Sequence, residues 1–373
     1  MGMIVKKELA EGFYSSYLSY LWEITSEEVF PEEVIIPNSS WERYIDLIWT
    51  INGFQPPKKE VDPFLIPITD LVVNNVDVVI GFSGGKDSLA CALKASEEGL
   101  NPTLYHVKGI TRSNSYAEEQ ATKSIAVYKN FPMHIGKISY KGSTSRIESP
   151  VRNSLVLSYM IDYMVENGIT MAMLGTHLVE RVGEENGYKI NISGNSDCLE
   201  VTQAFIEAVR GTFKQFRVLA SVYNFETCCM WLFSKYPRES ALASSCFMAD
   251  RLKDYRRNLN IGRFGIKELP KYFCLNCMKC CREYLCLYYA GLLGNMVAED
   301  MEGAVSHCTD VLRNKLISLG ENKKVVNSLS DKEVFCKFIQ DYKYVEEFVE
   351  DNKSIEKYMK LYCIEPSEIL LNI

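Results

Sequence analysis

The sequence predicts an α/β protein with a doubly wound parallel sheet. The first observation is the stretch from Val76 to Leu93, in which an apolar run is followed by a glycine-rich turn and a helix pattern. The second is that strand and helix patterns keep alternating as far as Gly175. Such alternation is typical of parallel sheets covered by helices on both faces, whose ligands bind at the carboxyl ends of the strands.

Local signals justify each element in turn. Val76 to Ile80 is a β-branched run typical of a buried strand, and the helix from Asp87 to Glu98 ends at Gly99. Two aromatic, helix-like stretches precede this core, Gly12 to Glu23 and Ser40 to Ile51, and we interpret their Tyr and Trp side chains as core packing. The later elements are strand Thr103 to Val107, helix Tyr116 to Tyr128, strand Met133 to Ile138, helix Arg152 to Asn167 and strand Ile169 to Gly175.

Composition limits the functional classes. The chain has 373 residues, 47% of them hydrophobic and 24% charged, as is ordinary for a soluble protein with a sizeable core. A formal charge of −7 argues against broad electrostatic binding to nucleic acid. Thirteen cysteines without a secretory leader indicate a reducing, cytoplasmic location, and no apolar run reaches the length of a membrane span.

The predicted organisation has four segments. An N-terminal extension covers 1–75, the nucleotide-binding core 76–245, a zinc-binding segment 246–300 and a helical C-terminal extension 301–373. The stretch from Asp250 to Lys271 carries seven basic and three acidic residues, a net charge of +4, and is either a solvated helical excursion or a contact surface for an anionic partner. The C-terminal extension is interpreted as a docking or homodimer surface.

The turn after the first strand has the composition of an anion site. A helix that begins directly after a glycine loop aims its unpaired N–H groups at one point. Gly84 and Gly85 let the backbone approach a phosphate closely. Lys86 adds a positive charge, and Ser83 and Ser88 add hydroxyl donors. The loop therefore predicts binding of a nucleotide pyrophosphate, and the alternative is a glycine turn with a capping serine.

The loop resembles a known signature. It is neither a Walker A motif nor a GxGxxG motif. The run from Ser83 to Ser88, S-G-G-K-D-S, resembles the SGGxDS signature of PP-loop ATP pyrophosphatases. That family cleaves ATP to AMP and pyrophosphate while it adenylates a substrate.

Further stretches resemble the 7-cyano-7-deazaguanine synthases, the QueC family. Pro150 to Asn153 resembles P-x-R-N, Gly175 to Glu180 stands in the place of G-V-N-A-V-D, and Ser193 to Cys198 in that of S-G-Y-P-D-C. Ser245-Cys246 and the run from Cys274 to Cys280 resemble S-C followed by C-x-x-C-x-x-C. The resemblance extends over roughly residues 76–290.

The resemblance and the strand ends together imply the site residues. The implied catalytic residues are Lys86, Asp87, Arg152 and Asp197. The implied nucleotide-binding residues are Ser83, Gly84, Gly85, Lys86, Asp87, Ser88, Tyr105, Val107 and Gly175. A charged helix cap is the alternative for Arg152, and an Asx turn is the alternative for Asp197.

Cysteine spacing predicts a structural metal site. Cys274, Cys277 and Cys280 stand at i, i+3 and i+6, so their thiolates can converge on one ion. Cys246 completes a tetrahedral set, for which zinc is the expected metal. A disulfide or an iron–sulfur cluster is the alternative, and two nearby thiols are alternative ligands, Cys281 and Cys286.

The resemblance implies an enzyme that uses ATP and Mg²⁺ to adenylate a carboxylate, expected to be 7-carboxy-7-deazaguanine. An amine then takes the acyl group and AMP leaves. Lys108 to Asn114 lacks the family's Y-G-Q-R-H, Arg181 to Asn191 is an insertion, and Tyr223 to Thr227 lacks the family's usual lysine. These departures and the extensions favour an extended QueC-like protein of antiphage (CBASS-type) operons, in which a partner protein supplies the amine.

Three other functions stay open. One is a standard 7-cyano-7-deazaguanine synthase that uses ammonia. Another is a tRNA-modifying PP-loop enzyme, against which the acidic composition argues. The last is a nucleotide-binding module without catalysis, against which the complete S-G-G-K-D-S loop argues.

Overall fold

A computed structural model describes most of the chain. The described residues are 12–26, 30–108, 115–138, 148–175, 182–185, 188–191, 199–244, 246, 261–339 and 342–363. The strands are β1 (Glu33–Ile36), β2 (Lys58–Val61), β3 (Asp77–Gly81), β4 (Asn101–Lys108), β5 (Met133–Lys137), β6 (Met171–Leu174), β7 (Val182–Glu185), β8 (Tyr188–Asn191), β9 (Arg217–Val222) and β10 (Lys360–Cys363).

The helices named below follow chain order. They are α1 (Phe13–Ser26), α2 (Glu42–Ile51), α3 (Lys86–Glu97), α4 (Ser115–Lys129), α5 (Glu148–Asn167), α6 (Leu199–Arg210), α7 (Phe225–Lys235), α8 (Pro237–Leu242), α9 (Met278–Tyr289), α10 (Met301–Ser318), α11 (Lys323–Ser328), α12 (Asp331–Phe338) and α13 (Lys343–Glu350). Among the described residues, none of these helices is both long and apolar enough to cross a membrane.

The central sheet has the strand order β5–β4–β3–β6–β9–β10. The first five strands are parallel, and β10 pairs with β9 in the antiparallel sense. The α/β class and the parallel sheet predicted from the sequence are therefore confirmed. The chain leaves β3 toward β4 on one side and returns to β6 on the other, which makes the gap between β3 and β6 the topological switch point.

Alternating strand side chains divide the interior into two cores. In β3, Val78 and Ile80 face one core and Val79 faces the other, and all three are fully buried. The first core joins the sheet to α3, α4, α7, α9 and the C-terminal helices. The second joins it to α5, α6 and the N-terminal segment. Both faces of the sheet are thus covered, as a parallel sheet requires.

The N-terminal segment belongs to the second core. Trp41 and Trp49 are almost fully buried, which confirms that the aromatic residues of this segment pack on the core. Asp162 of α5 accepts hydrogen bonds from the backbone N–H groups of Tyr14 (3.0 Å) and Ser15 (2.8 Å), and so caps α1. Burial raises the pKa of the Asp162 carboxyl to about 6.

The C-terminal segment also packs on the core. Strand β10 extends the central sheet at β9, and α10 packs along α9. Phe335 of α12 and Val345 of α13 are fully buried in the first core. The insertion noted between Arg181 and Asn191 contains the antiparallel hairpin of β7 and β8. Both terminal segments therefore contribute to folding of the central sheet.

We expect Asp162→Asn to alter the pH dependence of stability. Burial raises the pKa of Asp162 from 3.8 to about 6. Between these two pH values, the folded state therefore keeps a proton on Asp162 that the unfolded state has released. Wild-type stability relative to the variant should therefore fall as pH rises from about 4 to about 6, and should then stay constant. Urea unfolding of both proteins across this range measures the difference, and a difference that rises or stays flat would contradict the expectation.

Candidate active site and metal centre

The glycine loop lies at the switch point of the sheet. It leaves β3 after Gly81 and enters α3 at Lys86, with Gly85 as the residue before the helix. Gly85 has no side chain with which to cap this helix. The N-terminus of α3, with the positive end of its dipole, therefore lies at the carboxyl edge of the sheet.

Two glycines near the N-terminus of α3 occupy positions where a side chain would not fit. Gly84 has φ +72°, and a Cβ there would lie 2.6 Å from the carbonyl oxygen of Glu118. A Cβ on Gly175, directly after β6, would lie 2.8 Å from the backbone nitrogen of Ser88. The backbone of Gly175 thus packs against the first turn of α3, next to the predicted positions Asp87 and Ser88.

The predicted polar residues of the loop have local partners. Ser83 is exposed and its Oγ accepts a long hydrogen bond from the N–H of Gly85 (3.4 Å). The Ser88 hydroxyl donates to the carbonyl oxygen of Gly85 (3.0 Å). Asp87 is half-buried in the first turn of α3, and its backbone carbonyl accepts a hydrogen bond from the Tyr223 hydroxyl (2.9 Å). Among these side chains, Ser83 is the one most exposed to an incoming ligand.

The side chain of Lys86, predicted to contact phosphate, is buried and paired. Its side chain is 3% exposed and its ammonium is paired with the carboxylate of Glu283, which is equally buried. The ammonium also lies 5.1 Å from the ring centre of Phe225. Lys86 therefore points into the interior beneath the loop, toward α9, and its charge is neutralised there.

Tyr105 and Val107 are predicted nucleotide contacts, but their side chains are buried in the second core, on the face away from α3. Strand alternation instead turns His106 toward the loop, where its Nδ1–H donates to the carbonyl oxygen of Phe82 (3.0 Å). Burial lowers the pKa of His106, so the imidazole is neutral at pH 7. Its Nε2 is then a buried acceptor without a partner among the described residues.

Two predicted catalytic residues cannot be placed in the site. Asp197 lies outside the described residues, as does the whole of the Ser193 to Cys198 motif. Arg152 lies in the first turns of α5, and its side chain is outside the description.

The four predicted cysteine ligands come together. The sulfur atoms of Cys246, Cys274, Cys277 and Cys280 all lie within 4.8 Å of one another. The Sγ atoms of Cys246 and Cys277 are 3.9 Å apart, close to the ~3.8 Å of a tetrahedron with Zn–S bonds of ~2.3 Å. The group can hold a metal such as zinc.

Backbone donors already surround these sulfurs. The N–H of Asn276 donates to the sulfur of Cys274 (3.3 Å), and the N–H of Cys274 donates to that of Cys280 (3.5 Å). Hydrogen bonds from neighbouring thiols hold the pKa of Cys277 well below its ordinary value. Thiolates supported in this way suit a closed structural metal site. The alternative ligands are directed elsewhere: Cys281 contacts Cys308, and Cys286 contacts Glu226.

A buried charge cluster beside the metal centre was missed by sequence reasoning. Arg282 donates two hydrogen bonds to the carboxylate of Glu226 (2.6 and 2.9 Å). The next residue, Glu283, pairs with Lys86. These partners are 56 and 197 residues apart in sequence, so no local pattern identifies them. One sequence signal could have indicated this cluster. The Cys-Cys-Arg-Glu run at 280–283 places two charged residues in a helix that is otherwise buried.

Comparisons with protein-family models and with curated proteins find no match for this chain.

We expect Gly175→Ala to destabilise the fold, because its Cβ would overlap the backbone of the first turn of α3. Overpacking of this kind costs about 1–3 kcal/mol in the free energy of unfolding. Gly262→Ala is the matched control, since neither glycine has a positive φ and a Cβ on Gly262 meets nothing within 4 Å. Urea unfolding measures both variants, and equal stabilities would show that Gly175 and the first turn of α3 are not in contact.

We expect one zinc per chain, lost in Cys277→Ser and kept in Cys229→Ser. Both cysteines are buried, but Cys229 lies outside the four-sulfur group. Because metal binding contributes directly to folding, Cys277→Ser should also unfold at lower urea concentration. Elemental analysis of the purified proteins measures the metal, and iron in place of zinc, or metal-free wild type, would contradict the expectation.

Proposed function

We propose that the protein is an ATP-dependent enzyme that adenylates a carboxylate and transfers the acyl group to an amine. The observation that carries this proposal is the position of the N-terminus of α3 at the switch point, with a glycine loop in front of it. This position is where open α/β sheets bind nucleotides. The S-G-G-K-D-S run at this position supports ATP pyrophosphatase chemistry in particular.

The proposed reaction has two steps. A carboxylate oxygen attacks the α-phosphorus of ATP, the bond to the bridging oxygen breaks, and pyrophosphate leaves with the electron pair. An amine nitrogen then attacks the acyl carbon of the adenylate, AMP leaves, and the amine loses a proton. Backbone N–H groups of residues 84–86 face the leaving pyrophosphate and stabilise its charge in this mechanism.

Side chains of the site have separate roles in this proposal. Asp87 is the half-buried carboxylate in the first turn of α3, and we assign it to the Mg²⁺ that accompanies ATP. Ser83 is exposed at the loop and is assigned to a phosphate oxygen. Lys86 is paired with Glu283, so its proposed contribution is to the arrangement of the loop.

The proposed substrate is 7-carboxy-7-deazaguanine, on the strength of the QueC-like motifs. The amine is either ammonia or an amine of a partner protein. The protein acceptor was suggested partly by the size of the terminal extensions, but much of both extensions is buried in the core. Support for a protein acceptor therefore comes from the altered segments between residues 108 and 227, and both acceptors belong in the test.

We expect AMP and pyrophosphate when the protein is incubated with Mg·ATP, 7-carboxy-7-deazaguanine and an amine. Asp87→Asn should slow their formation by about 100-fold, because a group that stabilises developing charge is lost. Asp77→Asn, at the opposite end of β3, is the matched control and should keep the wild-type rate. Anion-exchange separation of labelled nucleotides measures the products, and intact-mass analysis of added proteins identifies an acylated acceptor.

Formation of ADP and phosphate in place of AMP and pyrophosphate would contradict the proposal. Nucleotide binding without any turnover, with ammonia or with candidate partner proteins, would favour the non-catalytic module instead.

A further inference from the structure

The metal centre and the glycine loop are joined by two direct contacts. The N–H of Ser244, two residues before the ligand Cys246, donates to the carbonyl oxygen of Gly84 (2.7 Å). Glu283, three residues after the ligand Cys280, pairs with Lys86 at the first position of α3. Residues on either side of the metal ligands therefore contact the glycine loop and the first residue of α3.

The second contact is part of a buried network of charges. Arg282, beside Glu283 on α9, is held by the two oxygens of Glu226 on α7. The ring of Phe225 contacts both cations, with its centre 5.1 Å from the Lys86 ammonium and 4.4 Å from the Arg282 guanidinium carbon. Helices α3, α7 and α9 are thus fixed to one another by two ion pairs and one shared aromatic ring.

The described residues leave little space between the metal ligands and this network. A cavity of about 10 Å³ is lined by Lys86, Glu283, Cys246 and Cys280 together with neighbouring residues. This volume is at the lower limit for a single water molecule. A displacement of the ligand cysteines is therefore transmitted to the Lys86–Glu283 pair through close packing.

A buried charge that loses its partner is strongly unfavourable, so Lys86 and Glu283 move together. The position of Lys86 fixes the first turn of α3, whose N–H groups face the loop. The position of Glu283 depends on α9, which begins directly after the ligand Cys277. Order at the metal centre therefore determines order at the nucleotide loop.

We propose that Glu283 is a positioning residue for the nucleotide loop and that, through it, metal at the cysteines and nucleotide at the loop strengthen each other's binding. This inference rests on the proposed nucleotide site. Thermodynamic linkage requires the effect to be reciprocal, so each ligand must slow the loss of the other by the same free energy.

Exchange of the two charges tests whether Lys86 acts through Glu283 or directly on phosphate. We expect Lys86→Glu and Glu283→Lys, each alone, to weaken binding of Mg²⁺ with a non-hydrolysable ATP analogue by about 10-fold or more. The double variant restores the pair and should bind within about 3-fold of wild type. If Lys86 contacts phosphate directly, the double variant should bind as weakly as Lys86→Glu, and the inference fails. Isothermal titration calorimetry measures the affinities.

Zinc release tests the coupling without any activity assay. In wild type, the ATP analogue should slow transfer of zinc to a chromogenic chelator by about 5-fold or more. The variant Lys86→Met/Glu283→Met replaces the ion pair with apolar side chains, which buried sites accept without unfolding. It should bind zinc but lose the effect of the analogue.

Lys94→Met is the matched control for this measurement. Lys94 lies two turns further along α3, and its ammonium pairs with Glu98 (3.1 Å) away from the loop. This variant should keep the effect of the analogue. If wild type binds no analogue, the proposed function and this inference both fail. If wild type binds the analogue but zinc release is unchanged, the inference alone fails.

Discussion

Burial of four charges beneath the glycine loop constrains how the helices on one face of the sheet fit together. Lys86, Glu226, Arg282 and Glu283 come from three helices and are each less than a tenth exposed. Removing one partner of a buried pair typically costs about 3–5 kcal/mol, because it leaves an uncompensated buried charge. Helices α3, α7 and α9 therefore keep one relative arrangement, which also fixes the glycine loop and the metal ligand Cys280 on α9.

The C-terminal segment keeps this network away from water. Phe338, at the end of α12, lies 5.9 Å from the guanidinium carbon of Arg282, and α10 covers α9 along its length. Strand β10 closes the edge of the sheet beside β9. The tail is thus needed for the electrostatics of the site, because ion pairs of this kind are strong where solvent is excluded. Its length needs no partner protein to explain it.

Sequence analysis succeeded where the determining interactions are local. The apolar run of β3, the glycine turn and the spacing of Cys274, Cys277 and Cys280 each depend on neighbours within a few residues, and the structure shows the strand, the turn and the four-sulfur group. Sequence analysis did not identify pairs of residues that are distant in the chain. The burial of Lys86 depends on Glu283, and β10 forms against β9 more than 130 residues earlier. Tyr105 and Val107 lie at the strand end that the sequence predicts. Because side chains alternate between the two faces of the strand, His106 is the residue that faces the loop.

Neutralisation of Lys86 changes how the loop can attract a nucleotide. With its ammonium paired to Glu283, the first turn of α3 presents backbone dipoles and the carboxylate of Asp87. Burial lowers the pKa of Lys279 on α9, and attraction to Asp87 opposes this lowering. The Lys279 ammonium therefore lies close enough to Asp87 to offset part of its negative charge. A bare triphosphate would meet Asp87 as a like charge, whereas a nucleotide that brings its own divalent cation would bind to it through the metal. This electrostatic argument supports the proposed assignment of Asp87 to the divalent cation that would accompany ATP.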